Sequence, residues 1–258
     1  RDQVTRLTAI KRLMDGGYRP STLFGMDADA LTRLADAPVA TARETNAEPA
    51  VSALLDLLKA HQPAKLRAAL KRRLQDQGLR HFVQDTVAPL SMAVGDAWSR
   101  GELRIFEEHL FSDIAEATLR QAMDALDSPE GRPRILMTTP PGETHTLGLL
   151  MAACLFTLRG AHCIYLGTDT PLGDIAQAAR AHDVDAIGLS FSSAYPSRRI
   201  KPTLLDLRQQ IPNAIDILAG GHGIKRQKPL DGVILVKEDT SIDAYVGGHA
   251  RAQADPTA

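Results

Sequence analysis

Residues 135–148, Ile-Leu-Met-Thr-Thr-Pro-Pro-Gly-Glu-Thr-His-Thr-Leu-Gly, decide the fold of this chain. The apolar run at the start of this stretch is typical of a buried strand, and Pro140-Pro141 ends that strand. A helical pattern follows at 149–158. His145 therefore lies on a loop that connects a strand to a helix. In an open α/β sheet, ligands bind at this carboxyl edge of the strands.

Strand and helix patterns alternate from residue 133 to the end of the chain. This alternation predicts a five-stranded, parallel, doubly wound sheet of the flavodoxin-like or Rossmann-like kind, spanning residues 133–250. A polar hinge at 128–132 precedes it. The predicted strands lie at 133–138, 162–166, 185–190, 215–219 and 232–235.

Other predicted strands also end in small or polar residues. Ser190 and Ser192 follow the third strand, and Gly220-Gly221 follow the fourth. Asp169 follows the second strand, where an Asp can cap the next helix or lie at the edge of a ligand site. We expect these loops to meet the His145 loop at one edge of the sheet.

Residues 50–127 are helical throughout by pattern. Pro63, Gly78 and Gly101 separate four predicted helices, at about 50–60, 63–77, 79–100 and 104–126. Short connections of this kind favour an up-and-down four-helix bundle.

The segment before the bundle divides into two parts. Residues 1–35 carry a helical pattern that Gly16-Gly17-Tyr18-Arg19-Pro20 interrupts, and residues 36–49 have the composition of a linker. One interpretation of residues 1–35 is a helical hairpin that docks on the following domain.

Composition excludes several classes of protein. Apolar residues make up 44% of the chain, charged residues make up 24%, and the net charge is −1, so no strongly basic balance indicates nucleic acid. No apolar run approaches the roughly 18 residues of a membrane span. Cys154 and Cys163 fit buried, reduced thiols in a cytoplasmic protein.

Three elements at the carboxyl edge together carry a family resemblance: Glu143-x-His145-x-x-Gly148, Ser190-x-Ser192 and Gly220-Gly221. They resemble the cobalamin-binding domain of the methionine synthase and mutase type, with Glu143 where Asp is commoner. The resemblance implies that His145 is the metal ligand, binding cobalt from below. It also implies that the serine and glycine loops line a pocket for the dimethylbenzimidazole tail. A carboxylate such as Glu143 would hold the other ring nitrogen of the histidine.

A second pattern lies in the predicted bundle, where Trp98 is followed after nine residues by Glu108-His109. This spacing resembles the CarH/LitR class of cobalamin-dependent MerR regulators, over residues 1–250. The resemblance implies that the bundle caps adenosylcobalamin, with Trp98 over the adenosyl group, Glu108 and His109 in contact with it, and Ile105 packing beside it. Residues 1–35 would then be the last part of a winged-helix head that binds DNA, with the rest of that head upstream. A homo-oligomer, dimer or tetramer, is also implied.

The residue after the tryptophan departs from the light-sensing members of that class. They carry a histidine there, which binds cobalt from above once light removes the adenosyl group, whereas this chain has Ser99. Nitrogen ligands suit transition metals better than a hydroxyl does. The resemblance therefore does not extend to a bis-histidine photoproduct formed through Ser99, and His109 is the other candidate for that role.

Two functions fit these observations. The first is a cobalamin-sensing transcriptional regulator, light-responsive through adenosylcobalamin, with methylcobalamin and hydroxocobalamin as other possible cofactor forms. The second is a corrinoid shuttle protein of a cobalamin-dependent methyltransferase, which has the same bundle and sheet. No nucleophile or acid/base dyad is evident, so we expect no enzymatic activity from this chain by itself. An α/β signalling domain without cobalamin is the remaining alternative.

Overall fold

The computed structural model describes residues 49–126 and 128–254 of the chain. The predicted winged-helix remnant at 1–35, and all of the predicted linker except Pro49, lie outside these residues. None of the helices in the described ranges is long and apolar enough to span a membrane.

Helices make up the first described region. Its core is filled by side chains that are almost fully buried, among them Leu66, Leu70, Phe82, Phe111 and Ile114. Its four α-helices are α1 (Pro49–Lys59), α2 (Pro63–His81), α3 (Ala88–Ser99) and α4 (Ile105–Asp124).

The predicted break between helices at Gly78 is confirmed, because Gly78 has non-helical φ and ψ angles inside the range of α2. The predicted regular helix at 79–100 differs in one segment, Phe82–Val87, which is π-helical and precedes α3. Gly78 has a left-handed φ of 75° and bends the chain just before this segment. Pro89 has no N–H to give to the carbonyl four residues earlier, and its ring would clash there. The helix widens instead, and the Ala88 N–H donates to the Val83 carbonyl oxygen, five residues back.

The second region is a five-stranded parallel sheet with strand order β2-β1-β3-β4-β5, the flavodoxin-like order, so the predicted fold class is confirmed. The segment predicted as a helix near 223–227 is a 3₁₀ turn, His222–Ile224. The strands are β1 (Arg134–Thr138), β2 (His162–Gly167), β3 (Ala186–Ser190), β4 (Asp216–Gly220) and β5 (Ile234–Val236). The helices are α5 (Leu147–Thr157), α6 (Leu172–Ala181), α7 (Ser197–Gln210) and α8 (Asp239–Ala254).

The two faces of the sheet carry separate apolar cores. Helices α6 and α7 cover one face. Helices α5 and α8 cover the other, and this second core continues without a break into the bundle. At the junction, Cys154 on α5 donates from Sγ to the Leu119 carbonyl oxygen of α4 at 3.5 Å. Arg120 of α4 lies 4.7 Å from the centre of the Tyr165 ring in β2. The bundle is therefore packed onto the sheet through α4 and α5.

Neither Cys154 nor Cys163 is in a disulfide, and both are buried, as their positions in the sequence predict. Burial raises the pKa of the Cys154 thiol to about 12. A thiol that stays protonated at neutral pH is a poor nucleophile, so Cys154 is a packing residue.

Candidate functional site

A buried carboxylate, Glu143, organises the loop between β1 and α5. Its side chain is almost fully buried, at 1% exposure. Glu143 Oε1 accepts from the His145 backbone N–H at 3.0 Å, and Oε2 accepts from the Ser192 backbone N–H at 2.8 Å. Glu143 therefore ties the β1–α5 loop to the loop that follows β3.

The same carboxylate sets the orientation of the His145 ring. His145 Nδ1 lies 2.6 Å from Glu143 Oε1 and 3.1 Å from Ser192 Oγ, so the imidazole donates its Nδ1 proton to the carboxylate. In the neutral imidazole, the unprotonated ring nitrogen is then Nε2. The His145 side chain is 58% exposed, in contrast to the buried Glu143. The arrangement presents one nitrogen lone pair at the carboxyl edge of the sheet.

The charges of this pair follow from their contacts. Burial opposes ionisation of Glu143, but hydrogen bonds from His145 and Ser192 outweigh it and lower the pKa of Glu143 to about 2. The hydrogen bond to Glu143 raises the pKa of His145, burial opposes this, and the charges of Glu143 and Glu108 add to the rise. Glu143 is thus an anion at neutral pH. Glu108 of α4 is one of the charges that act on His145.

The prediction that Asp169 caps the following helix is wrong. Pro171 occupies the N-cap position of α6, and Asp169 lies two residues before it in a left-handed backbone conformation, with φ of 58°. Its Oδ1 accepts instead from the Gly142 backbone N–H at 2.7 Å. Its own N–H donates to Thr139 Oγ1 at 2.8 Å. Asp169 therefore holds the loop that carries Glu143 and His145.

An apolar slot between α5 and the sheet opens at the same edge. Four of the residues predicted from the sequence line it, namely Gly148, Ser190, Gly220 and Gly221. Gly221 has φ of 93°, and a Cβ there would collide with the Phe191 carbonyl oxygen. A glycine is therefore required at this position.

Sequence reasoning missed the residues deeper in the slot. They come from β1, β3, β4, β5 and α5, and their side chains are small or apolar. Two signals could have found them: a glycine in the middle of a strand, and small residues at helical spacing before an aromatic one. The missed lining residues include Met137, Gly188, Leu218, Val236, Ala152 and Phe156.

The predicted bundle residues lie on exposed surface. Trp98 is 48% exposed and Ile105 is 61% exposed, so neither belongs to the core. Glu108 Oε2 lies 2.9 Å from His109 Nδ1, while its Oε1 accepts from Ser112 Oγ at 2.8 Å. These contacts fix Glu108 on the side of α4 that influences His145.

Ser99 uses its hydroxyl within its own helix. Its Oγ donates to the Asp96 carbonyl oxygen at 2.8 Å. A hydroxyl bonded to a helical carbonyl three residues earlier is a common local arrangement. Ser99 therefore cannot take the place of the histidine that the light-sensing class carries at this position.

Comparison with known families identifies the class of protein. A family described as a B12 binding domain matches residues 133–244, and a second family of the same description matches residues 50–126. The bundle and the sheet are therefore both B12 binding domains, and the chain belongs to the proteins built from them.

Individual relatives show which proteins of this class the chain is similar to. The HTH-type transcriptional repressor CarH of Myxococcus xanthus is 29% identical over 84% of this chain and 74% of its own length. The HTH-type transcriptional repressor CarA of the same organism is 32% identical over 48% of this chain and 42% of its own length. The chain is a CarH-like cobalamin-binding regulator, which confirms the resemblance drawn from Trp98, Glu108 and the His145 loop.

Among solved structures, the monomethylamine corrinoid protein of Methanosarcina barkeri shares the fold. It matches 76% of this chain and 96% of its own, with a TM-score of 0.57 and 13% sequence identity.

The residues present fit a cobalamin. Within residues 49–126 and 128–254, no group of three His, Cys, Asp or Glu side chains could hold a bare metal ion. A corrin brings its own equatorial nitrogens, so it needs a single imidazole from the protein, and His145 offers Nε2 beside a slot opened by glycines. Glu143 supplies the carboxylate contact that orients such a histidine ligand.

Proposed function

We propose that this chain is a transcriptional regulator in which cobalamin is held by His145 from below and covered by the α1–α4 bundle from above. The observation that carries the proposal is the hydrogen-bonded set of Glu143, His145 and Ser192 beside the slot. A ring with Nδ1 bound to a buried carboxylate is a more basic ligand at Nε2 and is held in one orientation.

On the lower side, each residue has a separate task. His145 would bind cobalt through Nε2, and Glu143 would fix the tautomer of His145. Ser192 holds Glu143 in place through its backbone N–H. Gly148, Ser190, Gly220 and Gly221 admit the nucleotide tail of the cofactor into the slot.

On the upper side, we assign Trp98, Ile105, Glu108 and His109 to contacts with the upper ligand of cobalt. Contiguous exposed apolar side chains often mark a binding surface, and we propose that Trp98 and Ile105 lie in one such surface. Trp98 and Ile105 supply the apolar part, and adenosine can stack on an indole face. Adenosylcobalamin is accordingly the proposed form, and its cobalt–carbon bond supplies the sensitivity to light.

Regulation then follows from linkage between the ligand and the bundle. A ligand shifts an equilibrium only by its different affinities for the two states. Trp98, Ile105, Glu108 and His109 would contact the upper ligand, so loss of that ligand would change the balance of bundle positions. We propose that this balance controls assembly of a homo-oligomer, dimer or tetramer, and binding to DNA. The names of CarH and CarA support DNA as the partner.

The test is the sedimentation coefficient of the chain loaded with adenosylcobalamin, measured in the dark and after green light. We expect two different assembly states with the same corrin bound in both. A methyl-carrying shuttle protein has no reason to change its assembly with the upper ligand. Identical sedimentation for the adenosyl, methyl and illuminated forms would therefore contradict the regulator and favour the shuttle.

A further inference from the structure

The walls of the slot follow from strand register. Met137, Gly188 and Leu218 are paired neighbours across β1, β3 and β4, so they form one row on the sheet face under α5. The next row toward the carboxyl edge is Ser190, Gly220 and Val236. Because strand side chains alternate between faces, both rows face the same side of the sheet.

The helix side of the slot narrows with depth. Gly148, Ala152 and Phe156 lie four residues apart on α5 and all line the slot. Residues at this spacing share one face of a helix. Their side chains grow from glycine through alanine to phenylalanine, so the slot is open at the carboxyl edge and closed by an aromatic ring below.

Met137 reaches into this space from β1. A Cβ at Gly188 would lie 2.5 Å from Met137 Sδ, which shows that the absence of a side chain at 188 makes room for the thioether. A methionine side chain is flexible and polarisable, so it can move against a flat ring that enters the slot.

The slot offers little to a polar ligand. Of the side chains that line it in the described part of the chain, Ser190 alone is polar, and it lies at the open end. The strands below it use their backbone groups in the parallel ladder. An amino group carried deep into the slot would lose its water without gaining a partner.

We propose that this slot selects among cobamides by their lower base, favouring an alkylated benzimidazole over an aminopurine such as adenine, with Met137 as the specificity-determining residue. The inference rests on the proposed seating of the nucleotide tail in the slot. Methyl groups on a benzimidazole meet the Met137, Leu218 and Phe156 side chains, whereas the exocyclic amino group of adenine meets them without a hydrogen-bond acceptor.

The experiment compares three ligands with the full chain: cobalamin, the adenine-based cobamide, and cobinamide, which has no base. Dissociation constants are measured by absorbance titration for wild type, Met137→Gln and Met92→Gln. Met92 is 50% exposed on α3, so Met92→Gln is the matched control. In the free cofactors, the lower base binds cobalt to a different extent in each cobamide. Comparing each variant with wild type for the same pair of cobamides removes this difference from the result.

Met137→Gln places an amide beside the base, and we expect it to raise the affinity for the adenine form relative to cobalamin by about tenfold, the effect of one satisfied hydrogen bond. Met92→Gln should leave the ratio unchanged. Gly188→Ala should push Met137 into the slot and weaken both complete cobamides, but not cobinamide. Adding Met137→Ala to that variant should restore binding.

An unchanged ratio in Met137→Gln, with that variant folded and binding cobalamin, overturns the inference. The inference is also overturned if Gly188→Ala lowers the affinity for cobinamide as much as the affinity for cobalamin. Failure of wild type to bind any of the three corrinoids overturns the proposed function itself, so the two failures are distinguishable.

Discussion

The two surfaces assigned to the lower and upper sides of the corrin differ in how firmly they are held. On the lower side, Glu143 is 1% exposed and receives hydrogen bonds from both neighbouring loops. On the upper side, Trp98 and Ile105 are 48% and 61% exposed. The lower side is therefore organised by the fold itself, whereas the upper side gains its contacts from the ligand. Substitutions on the lower side should therefore change the stability of the cofactor-free protein. Substitutions on the upper side should change only the affinity for the cofactor.

The largest expected effect is a loss of folding stability at low pH, and it depends on Glu143 on the lower side. Its pKa falls from an ordinary 4.5 to about 2 in the folded chain. A lowered carboxyl pKa contributes stability that is complete above the unfolded value and is lost as pH falls toward the folded one. Relative to Glu143→Gln, the cofactor-free wild type should therefore lose up to about 3 kcal/mol between pH 4.5 and pH 2.

Urea denaturation of both proteins at several pH values in this range measures the difference. His145 follows the opposite rule, since its raised pKa contributes stability at low pH that is lost as pH rises through the folded value. Parallel stability curves for wild type and Glu143→Gln would show that the carboxylate is not held as described.

The upper surface should respond differently. Trp98→Ala should lower the preference for adenosylcobalamin over methylcobalamin by about tenfold to a hundredfold, because base–aromatic stacking contributes about 1–3 kcal/mol. Trp98→Phe keeps a ring and should retain most of the preference. The stability of the cofactor-free protein should change little, since Trp98 is not a core residue. Equal affinity ratios for wild type and Trp98→Ala in titrations would remove Trp98 from the site.

A smaller effect on the lower side is expected at Asp169. Asp169→Ala removes the acceptor for the Gly142 N–H and puts alanine at a φ of 58°. We expect a loss of about 2 kcal/mol, from one hydrogen bond and one left-handed residue. Asn tolerates this conformation and keeps a carbonyl oxygen, so Asp169→Asn should cost less than about 1 kcal/mol. Urea denaturation midpoints of the two variants measure these losses. Equal losses of stability would mean that the hydrogen bond between Gly142 and residue 169 does not contribute.

The smallest effect in the dark is expected for Ser99→His. Ser99 is on the protein surface and, within the described part of the chain, its hydroxyl bonds to its own helix, so dark affinity for adenosylcobalamin should remain close to that of wild type. After green light, the variant should develop a stable bis-histidine spectrum that wild type lacks. A stable bis-histidine spectrum in wild type would contradict this and point to His109.

Most of the fold could be predicted because local patterns and tertiary packing agree. The strands of the sheet alternate with helices, and four of the five strands end at or near a proline, serine or glycine, as at Pro140 and Gly220. The π-helical segment within the predicted helix at 79–100 was missed because it depends on how Pro89 redirects hydrogen bonds, and apolar periodicity does not record this.

The site was predictable where a motif carries the chemistry. Glu143 and His145 are two residues apart, and their contact follows from one short loop. Asp169 and Met137 were misjudged or missed because their roles come from contacts across strands. Asp169 meets Gly142 from 27 residues away, and Met137 meets Gly188 only once β1 and β3 pair.

The most direct test of the whole account is the cobalt spectrum of the reconstituted protein with and without His145. Wild type loaded with adenosylcobalamin should show a spectrum of cobalt bound by an imidazole, and ¹⁵N-labelled histidine should give a nitrogen coupling to cobalt in the reduced form. His145→Ala should lose that coupling and bind the cofactor at least about tenfold to a hundredfold more weakly, since removing even a hydrogen-bond partner of a metal ligand causes a loss of that size. His109→Ala is the matched control and should keep the coupling. An unchanged spectrum and unchanged affinity in His145→Ala would contradict the account.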